Sequence, residues 1–297
     1  MAVRLALIGV GKWGIKIEAT LKTLPGAELA YTAGRDWKQL LGKDDIDGVI
    51  IATPPASHAE IALAFIERGT PVLIEKPMTL SLADADAIVT TSKNNAVPVM
   101  VGHEHLYNPA FEALKDSLSA IGTVTRIEGR EAHDGPIRPD YSTMWDSMPH
   151  DLSMMLSLLG MPLSVKAKGR AITKPGTNLY DEARMELTFP NSVTGTIESD
   201  WLSKEKVRTL TVTGERGYIT LDDTLSENKV ALTDETGTRP LLYLHAQPLT
   251  RELEAFASII KRKGAPRSGA KDGRTTIAIL EAAEQSIAHG GEPVLIS

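Results

Sequence analysis

A glycine-rich turn follows the first apolar run of the chain and leads directly into a helical pattern. The run Val3–Ile8 ends at the hexapeptide GVGKWG, after which apolar residues recur at helical spacing over Ile15–Leu24. In this setting the first glycine permits a tight turn, the second lets the backbone approach a pyrophosphate, and the third allows helix and strand to pack closely. Such turns also occur without a nucleotide, but the setting favours a dinucleotide site. Its candidate residues are Gly9, Gly11, Lys12, Trp13 and Gly14.

Strand-like and helical patterns alternate over the first part of the chain. Further apolar runs lie at Leu29–Ala33, Gly48–Ala52, Val72–Ile74 and Val97–Val101. Helical patterns lie between some of these runs, as at His58–Arg68 and Leu82–Lys93. This alternation is typical of βαβ units in a parallel sheet. It predicts a doubly wound Rossmann domain over residues 1–121.

The pattern changes after about residue 122. Short segments of alternating character follow at Thr123–Glu128, Ala183–Phe189, Thr194–Glu198, Leu210–Thr213, Tyr218–Leu221 and Val230–Thr233. Two helical patterns, Leu249–Lys261 and Gly273–His289, close the chain. The predicted fold class is therefore α/β, with the Rossmann domain followed by an α+β domain over residues 122–297. That second domain is expected to have an open, mostly antiparallel sheet and a C-terminal helix packing back on the first domain.

Composition narrows the range of partners. The 297 residues suffice for two moderate domains, and a formal charge of −6 without a basic run argues against nucleic acid as a partner. The absence of cysteine excludes disulfides, thiolate zinc sites and cysteine nucleophiles. The apolar start is too short to span a bilayer and runs into the glycine turn, so we expect a cytoplasmic protein without a membrane partner.

Residues at the end of the second predicted strand bear on the choice of nicotinamide cofactor. An acidic residue at this position usually holds the ribose 2′-hydroxyl of NAD. Here Gly34 takes that position and Arg35 follows, which leaves room for a 2′-phosphate and supplies a guanidinium to pair with it. Arg35 could equally be a solvated surface residue, and Asp36 could restore the acid–ribose contact after a small shift. The pattern favours NADP(H) over NAD(H).

The fourth predicted strand ends in an acid, a base and a proline. Glu75, Lys76 and Pro77 directly follow the apolar run that closes at Ile74. Proline disfavours the helical conformation of the residue before it, so Lys76 is expected at the carboxyl edge of the strand, where open parallel sheets bind their ligands. The alternative is an ion pair at a strand end followed by a loop proline.

The order of these motifs resembles that of the Gfo/Idh/MocA oxidoreductases. The resemblance is carried by the glycine turn, by Ile51-Ala52-Thr53-Pro54-Pro55 with His58, by Glu75-Lys76-Pro77, and by the closing segment from Leu249 onward. It implies that Lys76 is catalytic and that a later D-x-x-x-H supplies two further catalytic groups. The cofactor-binding set then also includes Thr53, Pro54, Pro55, His58, Glu75 and Lys76. For His58, hydrogen bonding at a helix terminus is an equal alternative to cofactor contact.

The D-x-x-x-H pattern is met by Asp146 and His150. An imidazole suits transfer of the hydroxyl proton during alcohol oxidation, and an ammonium such as that of Lys76 stabilises a developing alkoxide. His150 is therefore the candidate acid/base, and Asp146 would orient the substrate or the imidazole. Because Pro149 is tolerated only in the first turn of a helix, Asp146 could instead be the N-terminal cap of a helix that begins there.

Further candidates for contact with the substrate are His103, Tyr107, His133 and Trp145. Three of them have a structural alternative: packing for His103, a surface loop for His133, and the core for Trp145. Many relatives carry an arginine where Leu106 stands, which puts a substrate needing a cation there in doubt. No set of carboxylates and histidines has convincing ligand spacing, so no metal is expected.

The resemblance implies reversible hydride transfer between NAD(P) and a secondary alcohol of a sugar, cyclitol or sugar derivative. It also implies a homodimer or homotetramer, since sheet faces often pair in that family. Two other functions stay open. One is reduction of a non-carbohydrate unsaturated substrate, as in biliverdin-reductase-like relatives. The other is a nucleotide-binding regulator without turnover.

Overall fold

The computed structural model describes residues 2–296, which form two compact units. Of these residues, the first unit comprises 2–107 and 246–277, and the second comprises 108–245 and 278–296. The sequence-based boundary at residue 121 differs from this division. The helices just after Tyr107 pack on strands of the second unit, so their apolar faces belong to its core.

The first unit contains a five-stranded parallel sheet within the described residues. Its strands are β1 (Val3–Ile8), β2 (Ala27–Ala33), β3 (Gly48–Ile51), β4 (Val72–Glu75) and β5 (Val99–Gly102), in the order β2-β1-β3-β4-β5. Its helices are α1 (Lys12–Leu21), α2 (His58–Ile66) and α3 (Leu82–Asn95). The predicted Rossmann sheet is confirmed, because every strand pair in it is parallel.

The central strands β3 and β4 are covered on both faces of this sheet. All residues of β3 and β4 are buried, which explains their continuous rather than alternating apolar character. Ser81 caps α3, its Oγ accepting the backbone N–H of Asp84. Ser81 thus stabilises the start of the helix that follows β4.

The second unit is built on a nine-stranded sheet. Its strands are β6 (Val124–Asp134), β7 (Ser164–Arg170), β8 (Glu182–Thr188), β9 (Thr194–Asp200), β10 (Leu202–Gly214), β11 (Gly217–Asp222), β12 (Val230–Asp234), β13 (Gly237–Pro240) and β14 (Val294–Leu295). Across the described chain their order is β13-β12-β11-β10-β6-β9-β8-β7-β14. Only the β6–β9 pair among these is parallel, so the predicted mostly antiparallel sheet is confirmed.

Helices cover one face of this second sheet. They are α4 (Pro109–Asp116), α5 (Leu118–Ile121), α6 (Thr143–Asp146) and α7 (Met148–Leu159). The chain closes with α8 (Pro248–Ile260) in the first unit and α9 (Ala270–Ala288), within which the division between the units falls. Among residues 2–296 no helix combines the length and apolar character needed to cross a membrane.

The helix carrying His150 begins later than the sequence suggested. Asp146 is the last residue of α6, and Ser147 occupies the N-cap position of α7. The interpretation of Asp146 as the cap of this helix is therefore wrong. Pro149 lies in the first turn of α7, as its missing N–H requires. Asp146 and His150 thus lie on two successive helices rather than on one helical face.

Candidate active site

The register of the first sheet brings several motif residues to one edge. Ile8 pairs with Ile51 and Ile51 with Ile74, while Glu75 pairs with Gly102. The glycine turn, the Thr-Pro-Pro turn, Lys76 and His103 all follow these residues directly in the chain. Because the strands are parallel, their carboxyl ends meet at the same edge of the sheet, the edge at which such sheets bind ligands.

The glycine turn has the shape that a pyrophosphate needs. Gly9 adopts a φ of +103°, and a β-carbon there would collide with the backbone of Ala52. A β-carbon on Gly14 would collide with the carbonyl of Gly9, so helix and strand are in close contact. A β-carbon on Gly11, in contrast, would meet nothing within 4 Å. The turn therefore leaves open space at the start of α1, where backbone N–H groups favour an anion.

The buried side chain of His58 lies against the backbone of the Thr-Pro-Pro turn. This histidine is 0% exposed, with Nε2 lying 2.8 Å from the carbonyl oxygen of Thr53 and Nδ1 lying 3.1 Å from that of Pro77. Burial lowers the pKa of His58, while these backbone carbonyls oppose the shift. The His58 side chain thus links the turn to the segment after Lys76, and it lies in the interior of the first unit.

The acid and the base at the end of β4 have different surroundings. Glu75 is buried, and its Oε1 accepts the indole N–H of Trp13 over 2.5 Å. Lys76 is half-buried, and the Lys76–Pro77 peptide bond is cis. Burial raises the pKa of Glu75 to about 7, although the hydrogen bond from Trp13 and the charge of Lys76 act in the opposite direction.

The turn after β2 bears on cofactor choice. A β-carbon on Gly34 would meet nothing within 4 Å, and Arg35 is exposed. Both carboxylate oxygens of Asp36 are engaged locally: Oδ1 accepts the backbone N–H of Gly34 over 3.1 Å, and Oδ2 accepts from Nε2 of Gln39 over 2.5 Å. Asp36 therefore stabilises its own turn, and open space remains beside Arg35.

Two of the substrate candidates lie in the interior of the first unit. His103 is 1% exposed, and its Nδ1 lies 2.8 Å from Oγ of Ser268. Burial lowers the pKa of His103 to about 3, with a further contribution from the charge of Lys76. Tyr107 is 2% exposed, and its hydroxyl accepts the backbone N–H of Arg267. Burial raises the pKa of Tyr107 to about 12.

In the second unit, Asp146 is paired with a residue that the sequence did not single out. Arg138 donates from Nε to Oδ2 of Asp146 over 2.9 Å. His150 is 7% exposed and lies in the first turn of α7, where its backbone carbonyl accepts from Oγ of Ser153 over 2.7 Å. Arg138 belongs to a loop without periodic pattern, so only its cationic character could have drawn attention to it.

His133 and Trp145 have their own partners within the second unit. Nδ1 of the half-buried His133 lies 2.9 Å from the carbonyl oxygen of Gly135, to which it can donate. Trp145 is 4% exposed and donates from Nε1 to Oε1 of Glu284 over 2.9 Å. Trp145 is therefore part of the core. Within the described part of the chain, no three His, Asp or Glu side chains are grouped so that they could hold a metal ion.

One buried acid was missed by the sequence reasoning. Glu252 lies on α8 and is 0% exposed, in line with the buried residues Leu253 and Phe256. An acid inside the apolar stripe of an amphipathic helix is unusual, and this position in the sequence could have identified Glu252 as a buried acid.

Comparison with known proteins agrees with this architecture. Residues 16–103 match a family model described as an oxidoreductase family with an NAD-binding Rossmann fold. Residues 113–220 match one described as the GFO/IDH/MocA C-terminal domain. The two matches fall on the two parts of the chain that the sequence pattern distinguished.

Individual relatives extend over nearly the whole chain. The myo-inositol 2-dehydrogenase of Thermotoga maritima is 27% identical over 290 residues, covering 90% of this chain and 84% of that protein. A solved protein from Magnetospirillum magnetotacticum, described as an oxidoreductase, is 34% identical with a TM-score of 0.86, covering 95% of this chain and 99% of that one. Levoglucosan dehydrogenase, solved with NADH, shares the fold with a TM-score of 0.88 over 100% of both chains at 20% identity. From these matches, the chain belongs to the Gfo/Idh/MocA family of oxidoreductases.

Proposed function

We propose that the protein transfers hydride between a nicotinamide cofactor and a secondary alcohol, or the matching ketone, of a sugar, cyclitol or sugar derivative. The observation that carries the proposal is the position of Lys76, which follows β4 at the same edge of the sheet as the glycine turn. The naming of relatives as inositol and sugar dehydrogenases supports the substrate class. Their names do not favour the two alternatives, a non-carbohydrate reductase and a regulator without turnover.

In this proposal Lys76 and His150 carry the proton chemistry. A bound nicotinamide would supply the acceptor for the hydride of the alcohol carbon. The Lys76 ammonium stabilises the negative charge that develops on the alcohol oxygen. The His150 imidazole accepts the hydroxyl proton, and returns it when the reaction runs toward the alcohol. Asp146 orients the substrate hydroxyls, and its ion pair with Arg138 holds the carboxylate in position.

The cofactor is proposed to rest on the open side of the glycine turn. The free space at Gly11 suits close approach of the pyrophosphate to the backbone, and the Thr-Pro-Pro turn lies at the same strand edge. His58 and Glu75 are proposed to act by holding these loops, because both side chains are buried and hydrogen-bonded. His103 and Tyr107 contribute in the same indirect way, from the interior.

NADP(H) is the proposed cofactor in preference to NAD(H). The support is local: Gly34 leaves open space, Arg35 is exposed, and both oxygens of Asp36 are engaged within their own turn. Asp36 already accepts hydrogen bonds within its own turn, and Arg35 is the exposed cation beside the open space at Gly34. A guanidinium beside open space matches a 2′-phosphate.

The test begins with fluorescence titration of the purified protein with NADPH and NADH. Sugars and cyclitols are then screened for reduction of whichever oxidised cofactor binds. We expect turnover of at least one polyol, and loss of that turnover in Lys76→Met with cofactor binding retained. Cofactor binding without turnover of any polyol would contradict the substrate class, and binding of neither dinucleotide would contradict the cofactor site.

A homodimer or homotetramer and a location in the cytoplasm stay predictions. The outward face of the second sheet carries ion pairs between neighbouring strands, such as Arg170 with Glu182 over 2.6 Å and Arg184 with Glu198. A face with both charge signs side by side is compatible with self-association. Size-exclusion chromatography with light scattering measures the number of subunits.

A further inference from the structure

The carboxyl group of Glu75 is fixed inside the first unit. Its Oε1 accepts the indole N–H of Trp13, and its Oε2 accepts the backbone N–H of Lys76 over 3.3 Å. A β-carbon on Gly102, in the neighbouring strand, would lie 3.0 Å from Oε2, so β5 closes the space on that side. With 7% of the residue exposed, Glu75 acts through Trp13 and Lys76 rather than by contact with a ligand.

Two more carboxyl groups face Glu75 from other elements of the first unit. Glu104 lies in the 3₁₀ turn Glu104–Tyr107 after β5, and Glu252 lies on α8. Neither carboxyl oxygen of Glu252 has a hydrogen-bond partner within residues 2–296. Burial, and then the charges of Glu75 and Glu104, hold the pKa of Glu252 well above its usual range. These surroundings favour the protonated form of Glu252, because a buried carboxylate without hydrogen-bond donors is strongly disfavoured.

The carboxyl group of Glu75 differs from that of Glu252 because it accepts hydrogen bonds from N–H donors. The indole N–H of Trp13 and the positive charge of Lys76 both favour its ionised form, against burial and the charge of Glu104. His103, which also faces Lys76, is neutral because burial lowers its pKa to about 3. The indole N–H of Trp13 thus meets a carboxyl group that ionises near neutral pH, and a hydrogen bond to the ionised form is about twice as strong as one to the neutral form.

We propose that Trp13 and Glu75 are positioning residues, whose hydrogen bond couples the glycine turn to the strand end that carries Lys76. Trp13 is the second residue of α1, so this bond fixes the start of the helix on which a dinucleotide pyrophosphate would rest. Glu75 adjoins Lys76 and binds its backbone N–H. The inference rests on the proposed function only in taking the glycine turn as the cofactor site and Lys76 as the residue that stabilises the developing alkoxide.

The coupling is tested by a double-mutant cycle on cofactor affinity. Trp13→Phe removes the N–H but keeps an aromatic ring, and Glu75→Gln keeps the shape and a neutral acceptor. We expect the dissociation constant of the preferred dinucleotide to rise about tenfold in Trp13→Phe and about threefold in Glu75→Gln. In the double variant it should match Trp13→Phe alone, because the shared bond is already lost. If the fold-changes of the two single variants multiplied in the double variant, the proposal would be overturned.

A matched control makes the same chemical change without the bond. Trp37 is a second buried tryptophan of the first unit, and it packs against Phe65 with ring centroids 6.1 Å apart. Trp37→Phe should leave cofactor affinity within about twofold of the unaltered protein. Thermal unfolding of each variant separates loss of coupling from loss of stability. An equal drop in affinity for Trp37→Phe and Trp13→Phe would also overturn the proposal.

A second measurement needs neither cofactor nor substrate. The emission of an indole changes when a carboxyl group hydrogen-bonded to it gains a proton, so the difference between unaltered protein and Trp13→Phe reports on Glu75. We expect this difference signal to titrate with a midpoint near neutral pH, as burial raises the pKa of Glu75 to about 7. The transition should vanish in Glu75→Gln. A transition that persists in Glu75→Gln would assign the signal to another titrating group, and would overturn the proposed coupling between Trp13 and Glu75.

The two hypotheses fail in different ways. If no polyol is turned over but the affinity cycle is non-additive and the titration depends on Glu75, the coupling stands and the substrate class is wrong. If polyols are turned over while the two variants act independently, the proposed function stands and the coupling is wrong.

Discussion

Arg138 donates from Nε to Oδ2 of Asp146 over 2.9 Å, joining the loop after β6 to the end of α6. The Arg138 side chain is 40% exposed and that of Asp146 is 11% exposed. The acid of the D-x-x-x-H pattern is thus one half of a partly exposed ion pair. Its orientation depends on a loop residue that lies outside the motif.

Breaking this pair should weaken catalysis through the placement of Asp146. Arg138→Gln removes the charged donor, and we expect kcat/KM for the preferred polyol to fall about tenfold, mainly through KM. Asp146→Asn should cost at least as much. In the double variant the losses should not add, because both single changes remove one interaction. Additive losses in steady-state kinetics would indicate that the two residues act separately.

Lys76→Met should remove stabilisation of the developing alkoxide. We expect kcat to fall about 10³-fold with the dissociation constant of the cofactor changed by less than about twofold. Lys93→Met is the control, since Lys93 is an exposed lysine in the last turn of α3. Stopped-flow measurement of hydride transfer and fluorescence titration of the cofactor separate the two effects. A parallel loss of cofactor binding would assign Lys76 to binding instead.

His150→Asn should remove the group that exchanges the substrate proton. The expected loss in kcat/KM is about 10²-fold to 10⁴-fold, together with the limb of the pH profile that the imidazole causes. His289→Asn, which alters an exposed histidine after α9, should leave the rate unchanged. Near-complete retention of turnover in His150→Asn would contradict the alcohol mechanism.

Arg35→Gln tests the cofactor preference. Removing the guanidinium should raise the dissociation constant of NADPH about tenfold and that of NADH less than about twofold, because only NADPH carries a 2′-phosphate. Arg68→Gln changes another exposed arginine and serves as the control. Equal effects on both dinucleotides, measured by fluorescence titration, would show that Arg35 does not read the 2′-position.

Asp151 should make the protein less stable in alkaline solution. Burial, and then the charge of Glu131, raises the pKa of Asp151 to about 8, with Arg208 opposing. The folded state therefore keeps a proton that the unfolded chain releases above its ordinary pKa near 3.8. The stabilising contribution is full below that value and is lost as pH rises toward about 8.

The measurement for Asp151 is urea unfolding between about pH 5 and about pH 9. The unaltered protein should lose more unfolding free energy over this interval than Asp151→Asn, which cannot ionise. Any dependence of the unfolding free energy on pH that remains in Asp151→Asn reports other carboxyl groups with a raised pKa, including Glu75. Identical slopes for the two proteins would mean that Asp151 is ionised in the folded state.

Much of the fold could be predicted because its signals are local. Val3–Ile8 was identified with its observed bounds, and the buried strands Gly48–Ile51 and Val72–Glu75 differ from prediction by one residue. A continuous apolar run bounded by turn residues indicates a strand covered on both faces. The strand Ser164–Arg170 was missed, because its alternating lysines and small residues provide a weak apolar pattern.

The candidate site could be predicted only as a set of motifs. Glycine spacing, the Glu-Lys-Pro strand end and the D-x-x-x-H pattern located its groups, but not their partners. The N-cap of α7 was misplaced by one residue, because a short separate helix precedes α7 and ends at Asp146. Local periodicity cannot distinguish one helix from two that follow each other directly.

The sequence by itself determined the order of strands and helices, the dinucleotide turn and the identity of the chemical groups, since these depend on residues close together in the chain. The tertiary structure alone decided which groups meet. Trp13 and Glu75 are 62 positions apart and share a hydrogen bond, and Glu252 faces Glu75 from α8. Such contacts follow from strand register and helix packing, which set distances between residues that no local pattern relates.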